Sequence, residues 1–340
     1  MDIWPRVDEL IGRAETVTDL YAHRVHLYAA WRRRSLGRPV SPELIELERG
    51  AAIMRLAAPG LLDRIRRAHD GVMVLLKGAQ AAEGYPKPEL RPYNDLDLLV
   101  PDAEAVQLAL LDAGFREYET EEPHGHHHLR ALEWPGLPML IEIHSEPSWP
   151  TWITPPATSD LFAAATTECV LGHGVLALPT AHHALLLMAH VWREAPLSRL
   201  GHLIDIAVTL ERTEPGEIER LAQRWGVERL WSSTAAAVDA VLLGTPEPSH
   251  VARIWLKDIE AVRERSVIGQ KLAQLLAPFW GLSFPKAVGA TFASILAALR
   301  PARDETWRAM LRRNVSALKH SFQRRSARDR KLHAERKHEL

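Results

Sequence analysis

Residues 72–100, VMVLLKGAQAAEGYPKPELRPYNDLDLLV, decide the fold. Val72–Leu76 is an unbroken apolar run containing two valines, which suits a short strand buried on both faces. Lys77-Gly78 ends that run, and Ala79, Gln80, Ala81, Ala82 and Glu83 are helix formers. Lys77 and Gly78 are therefore predicted to sit at a strand-to-helix turn. Free backbone N–H groups and the positive end of a helix favour an anion such as phosphate there. Pro86, Pro88 and Pro92 enforce an extended loop, and out of it comes Asp95-Leu96-Asp97-Leu98-Leu99-Val100. As a strand, this segment projects Asp95 and Asp97 to one face and sends Leu96 and Leu98 into a core. Two carboxylates pinned on one rigid face repel each other unless a cation sits between them. Mg²⁺ and Mn²⁺ are the cations that suit carboxylate oxygens. Exposed strand ends often carry acids too, and what sets this pair apart is the Lys-Gly turn upstream, which supplies a matching anion site.

A two-metal site requires a third acid. Pro138-Met139-Leu140-Ile141-Glu142-Ile143-His144 reads as a strand with Glu142 in its middle, where a carboxylate is costly to bury without a partner. Laid beside the Asp95–Asp97 strand, it places three carboxylates around one cation cluster. His144 shares the Glu142 face by alternation and reads either as a contact to substrate or acid, or as a partly buried strand histidine.

The pattern Lys-Gly, then R-P-x-x-D-x-D-L-L-V over residues 91–100, then an acid in Ile-Glu-Ile-His, resembles a family of nucleotidyltransferases in the polymerase-β-like superfamily. Members are found near bacterial polysaccharide and lasso-peptide genes. The resemblance spans roughly residues 55–230 and is strongest at 75–100. In the wider superfamily the strand-to-helix turn is usually Gly-Ser; here, as in the subfamily, it is Lys77-Gly78. The resemblance implies an α+β fold with a small mixed β-sheet core flanked by N-terminal and C-terminal helical segments. It also implies transfer of a nucleoside monophosphate from an NTP to an acceptor such as a sugar, small molecule or peptide. In such an enzyme Asp95 and Asp97 hold Mg²⁺ (or Mn²⁺), and Glu142 completes the metal shell or takes a proton. Lys77 and the Gly78 amide steady the phosphates, with His144 beside the acids. Arg91 either neutralises charge on the leaving group or forms a loop ion pair. Two alternatives stay open: a non-catalytic subunit that keeps the fold and binds a partner, and a toxin-like or kinase-like transferase acting on protein or RNA.

Bulk composition is neutral on partners: 42 Lys and Arg stand against 43 Asp and Glu in 340 residues. The single cysteine, Cys169, excludes disulfides within the chain and Cys-rich zinc sites. The opening MDIWPRVDEL has no basic-then-apolar signal pattern, and no apolar run reaches the roughly 18 residues of a membrane span, so a cytoplasmic location without a membrane span is expected.

The expected organisation is an N-terminal helical segment (1–70), the nucleotidyltransferase core (71–150), a helical domain (151–302) and a basic helical or disordered tail (303–340). Ser41-Pro42-Glu43 starts a helix carrying Leu44, Leu47, Ala51 and Met54 on one face. A second helix carries Leu61, Leu62 and Ile65 and ends at Asp70-Gly71. His124, His126, His127 and His128 form a cluster that reads as a transition-metal site or, preferably, as one site histidine among exposed ones. Residues 147–179 read as an irregular crossing, and helices resume at Thr180. Asp205, in an apolar helix, calls for an Arg or His partner, and Trp231, Trp255 and Trp280 read as core and interface residues.

The tail holds 12 Lys and Arg against 5 Asp and Glu over residues 303–340; it is the one place where nucleic acid is a candidate partner. It lacks apolar periodicity after about Phe322, so truncation after Ser321 is expected to leave turnover of a small neutral acceptor unchanged. With an anionic acceptor the same truncation is expected to weaken binding and flatten its salt dependence. Steady-state kinetics of the truncated chain at two ionic strengths check both.

Overall fold

A computed structural model describes residues 2–118, 128–137, 139–167, 169–172, 174–244, 250–298 and 307–308. Four helices precede the sheet: α1 (Trp4–Ile11), α2 (Val17–Ala22), α3 (His26–Ser35) and α4 (Pro42–Ala68). The α/β region runs β1 (Val74–Leu75), α5 (Ala79–Ala82), β2 (Asp95–Leu99), α6 (Ala103–Asp112), β3 (Arg116–Glu117), β4 (Leu132–Glu133), β5 (Leu140–His144), α7 (Thr158–Ala164) and β6 (Leu176–Ala177). Then come α8 (Thr180–Glu194), α9 (Leu200–Leu210), α10 (Glu217–Trp225), α11 (Glu228–Val238), α12 (His250–Glu260), α13 (Val267–Leu276), α14 (Pro278–Gly281) and α15 (Phe284–Ala298). The fold is α+β, with one mixed six-stranded sheet in the order β3-β4-β5-β2-β1-β6. The central strands β2 and β5 run parallel, β1 is antiparallel to β2, and β4 is antiparallel to β5.

Alternation along the strands splits the interior into two cores. Met73, Leu75, Leu96, Leu98, Ile141 and Ile143 face α4 and α6, where they pack with Leu61, Leu62, Ile65, Val106 and Leu110. Val74, Leu76 and Leu99 face the other way and join a larger core. That core is built from α8, α9 and the N-terminal helices, so the helices before and after the sheet share one interior. β1 is thus buried on both faces, as its continuous apolar run demands.

Two stretches differ from the sequence reading. The apolar residues on either side of Pro59-Gly60 belong to one helix, α4, whose N-cap Ser41 accepts from the Leu44 amide. A proline inside a helix removes one hydrogen bond and tends to kink it; here Ala58, Leu61, Leu62 and Ile65 are fully buried and tertiary packing carries the helix through. The crossing at 147–179 contains α7 and the edge strand β6, which pairs in parallel with β1; two residues are too few to register as a periodic signal. Trp231 is buried, while Trp255 and Trp280 are partly buried and meet edge to face. Among the described residues no helix is long and apolar enough to cross a membrane. His124, His126, His127 and nearly all of the basic tail lie outside the described residues.

The larger core encloses several histidines. Burial, assisted by Arg24 for His26 and by Arg91 for His183, holds these two imidazoles down to about 4. Burial holds His190 and His202 well below the ordinary value too. A folded-state pKa below the unfolded value of about 6.5 means that the unfolded chain takes up protons which the folded chain refuses. Stability is therefore full above about pH 6.5 and is lost as pH falls toward 4. Between pH 7 and pH 5, His26 and His183 are each expected to remove about 2 kcal/mol, read as a fall in the urea-unfolding free energy; unchanged stability over that range contradicts the expectation.

Candidate active site

The parallel pairing of β2 with β5 sets Asp97 directly opposite Glu142 and Leu99 opposite His144. Asp95, Asp97, Glu142 and His144 thus share one face of the sheet. Lys77, from the turn after β1, reaches over that face: its Nζ lies 3.1 Å from Asp97 Oδ1 and 3.8 Å from Asp95 Oδ2. His144 Nε2 lies 3.0 Å from Asp97 Oδ1 and 3.5 Å from Glu142 Oε2. One ligand atom each from Asp97, Glu142 and His144 falls within 4.8 Å of the others, a grouping able to hold a metal ion. Asp95 is not part of that trio, in contrast to the expected metal set of Asp95, Asp97 and Glu142. Asp97 is 1 % exposed, and its Oδ2 is buried with no hydrogen-bond partner among the described residues.

Gly78 makes the turn possible. Its φ of 79° lies where L side chains are strained, and it lets the chain pass from a buried strand into α5 while Lys77 projects over the acids. α5 has only four residues, so the helix-end contribution to an anion site is small. The cationic character of the turn rests on Lys77.

The charges hold one another in place. Burial pushes the Asp97 carboxyl up, but Lys77 and the His144 hydrogen bond outweigh it and keep it below the usual range. Glu142 follows the same pattern: burial raises it, His144 and Lys77 lower it, and the net direction is down. Burial opposes charge on His144, yet the hydrogen bonds to Asp97 and Glu142 raise its pKa. Lys77 is likewise raised, with Asp97 and Asp95 overriding burial.

Residues 22–242 match a family described as uncharacterised nucleotidyltransferases. The chain belongs to that family. No curated protein and no solved structure gives a match. At the level of reaction class, membership makes this a nucleotidyltransferase, and the paired acids on adjacent central strands fit that class.

In this nucleotidyltransferase Arg91 is committed elsewhere than the acids. It is 5 % exposed, and its Nε and Nη2 each donate to the Asp205 carboxylate at 2.8 Å. Tyr85 Oη donates to the same carboxylate at 2.8 Å. The partner that an acid in the apolar α9 requires is therefore the arginine of the loop before β2. Among the described residues Arg91 Nη1 has no hydrogen-bond partner, so any role at a leaving group falls to that nitrogen. Of the histidine cluster, His128 is described; it bridges to His144, and the two rings lie 5.3 Å apart.

Sequence reasoning missed α8 as the roof of the site. Leu186, Leu187 and His190 line a small cavity with Lys77, Asp97 and His144. Along the chain nothing local connects His190 to acids some ninety residues earlier.

Arg91 and Asp205 give a direct test of this packing. Arg91→Met strands a buried carboxylate and is expected to cost about 3–5 kcal/mol of stability. The double variant Arg91→Met/Asp205→Leu is expected to recover most of that loss, as read from chemical-denaturation midpoints.

Proposed function

We propose that this protein is a metal-dependent nucleotidyltransferase that moves a nucleoside monophosphate from an NTP to a hydroxyl or similar group on an acceptor, with release of pyrophosphate. The acceptor classes compatible with this chemistry are a sugar, a small molecule or a peptide. The observation that carries the reading is the buried, unpartnered Asp97 Oδ2, set opposite Glu142 on adjacent central strands. A buried carboxylate oxygen without a donor is costly, and a cation removes that cost. The two carboxylates of the trio fit Mg²⁺ or Mn²⁺, which favour oxygen ligands: Asp97 and Glu142 would hold the ion, with His144 and Asp95 beside them. When bound, the ion offsets phosphate charge and lowers the pKa of the acceptor hydroxyl.

The chain's own groups account for the rest. His144 sits between Asp97 and Glu142 and fixes the orientation of both carboxylates. Glu142, at the more open end of the set, is placed to accept the acceptor's proton. Lys77 swings from the acids to the phosphates, and the Gly78 amide adds a second donor there. Arg91 Nη1 offers charge to the departing pyrophosphate.

One observation favours a second reading, in which the protein keeps the fold as a non-catalytic, partner-binding subunit. The Lys77 ammonium already lies between Asp95 and Asp97, where it serves as the neutralising cation.

Asp97→Asn keeps side-chain volume while removing charge, and is expected to abolish transfer of labelled NMP to acceptors in a bacterial extract while the circular-dichroism spectrum is retained. Lys77→Ala separates the two readings. For a transferase it removes a charge-assisted contact of about 1.5–3 kcal/mol, so NTP affinity falls roughly ten- to hundredfold while Mn²⁺ binding survives. For the cation-free subunit the same variant strengthens Mn²⁺ binding, loses stability and leaves nucleotide binding unchanged. Calorimetric titration of Mn²⁺ and NTP into both proteins decides; a wild type that binds no NTP in the presence of Mg²⁺ removes the transferase reading.

A further inference from the structure

A cavity of about 370 Å³ lies between the N-terminal helices and the loop that enters β2. That volume falls within the range of about 300–1,000 Å³ in which small-molecule sites are found. Tyr93 and Asn94, the two residues preceding Asp95, form part of its wall, so it opens next to the acid strand. Tyr21, His26 and Met54 add aromatic and polarisable surface, Arg24 and Arg199 add positive charge, and Glu46 adds a negative one. α4 contributes Glu46, Leu47, Gly50, Ala51 and Met54, and Gly50 leaves a gap in that wall. A glycine in mid-helix is unfavourable, and a Cβ on Gly50 would meet nothing within 4 Å, so this wall is left open rather than packed.

Two further observations point to a ligand. His26 is only 4 % exposed, and its buried Nδ1 has no hydrogen-bond partner among the described residues. Arg24 has a φ of 58°, a conformation at a helix end that glycine usually takes. The contact with α9 holds it there: the Gly201 amide donates to His23 O at 2.9 Å and the Leu200 amide to His23 Nδ1 at 3.1 Å. Among the described residues the Arg24 side chain makes no hydrogen bond or ion pair. It also lines a second, inner cavity shared with Lys77, Arg91, His190, His202 and Asp205. Arg24 therefore stands where the large cavity meets the cationic groups beside the acids.

We infer that the large cavity is the nucleoside subsite for the NTP, and that Arg24 binds the phosphates leading from it toward Lys77. The inference rests on the transferase reading above and adds the location of the nucleotide. Arg24, Lys77 and Arg91 line one inner cavity, and their charge matches a polyphosphate, whereas a neutral sugar or peptide acceptor has no use for it. The aromatic walls of Tyr21 and Tyr93 match a base.

The test uses the full chain, Mg²⁺, the four NTPs and inorganic tripolyphosphate, titrated by calorimetry into wild type, Gly50→Leu and Arg24→Gln. Gly50→Leu fills the open wall with a better helix former and is expected to melt no lower than wild type. It should weaken the preferred NTP at least tenfold and leave tripolyphosphate within twofold. Arg24→Gln should weaken both ligands at least tenfold. Wild type that binds an NTP which Gly50→Leu binds equally well overturns the nucleoside subsite and leaves the transferase reading standing; Arg24→Gln with unchanged affinity for both ligands overturns the phosphate role. Wild type that binds no NTP removes the reading and this inference with it.

Discussion

Asp97 is a carboxylate held almost entirely out of water, with a second carboxylate facing it across the β2–β5 ladder. Two like charges about 4 Å apart repel by roughly 4 kcal/mol at the effective dielectric typical of proteins, and burial adds its own penalty. The fold meets this cost with two nearby groups. Lys77 arrives from the turn after β1, and His144 arrives from the end of β5. Each has to be delivered by backbone geometry: Gly78 with positive φ turns the chain beyond Lys77, and strand alternation puts His144 on the acid face. One oxygen, Asp97 Oδ2, is left without a donor by this arrangement, and the proposed chemistry begins there.

The same constraint shapes what surrounds the sheet. One face is sealed conventionally by α4 and α6 over Leu96, Leu98, Ile141 and Ile143. The acid face cannot be sealed by aliphatic packing alone, and α8 covers it with His190 beside Leu186 and Leu187. The proline-rich loop that enters β2 is tied down by Arg91 and Tyr85 on Asp205 of α9. That clamp is buried, bidentate and charge-assisted, the combination in which an ion pair fixes geometry most firmly. It joins the β2 approach to the same helix whose N-terminus holds His23 and Arg24. The walls of the large cavity and the acids of the sheet are in this way referenced to one element, α9.

Much of the site was legible along the chain because its signals are local. D-L-D-L-L has the two-residue period of a strand with acids on one face, and I-E-I-H repeats it. Lys77-Gly78 between an apolar run and helix formers marks a turn by composition alone, and Asp205 in an apolar helix announced a buried ion pair. Less legible were features carried by one or two residues. β6 is two residues long and has no period to detect, and Pro59-Gly60 looks like a break although packing on both sides keeps α4 continuous.

The sequence by itself determined the fold class, the acid strands and the family resemblance, because strand alternation and turn chemistry act over a few residues. Tertiary structure decided which groups meet. It made Asp97, Glu142 and His144 the metal-capable trio and left Asp95 with Lys77. It gave Arg91 to Asp205, and it set Arg24 and His26 of the N-terminal helices at a cavity beside the acids. Those outcomes depend on register and packing between elements tens to more than a hundred residues apart, and no local pattern encodes them.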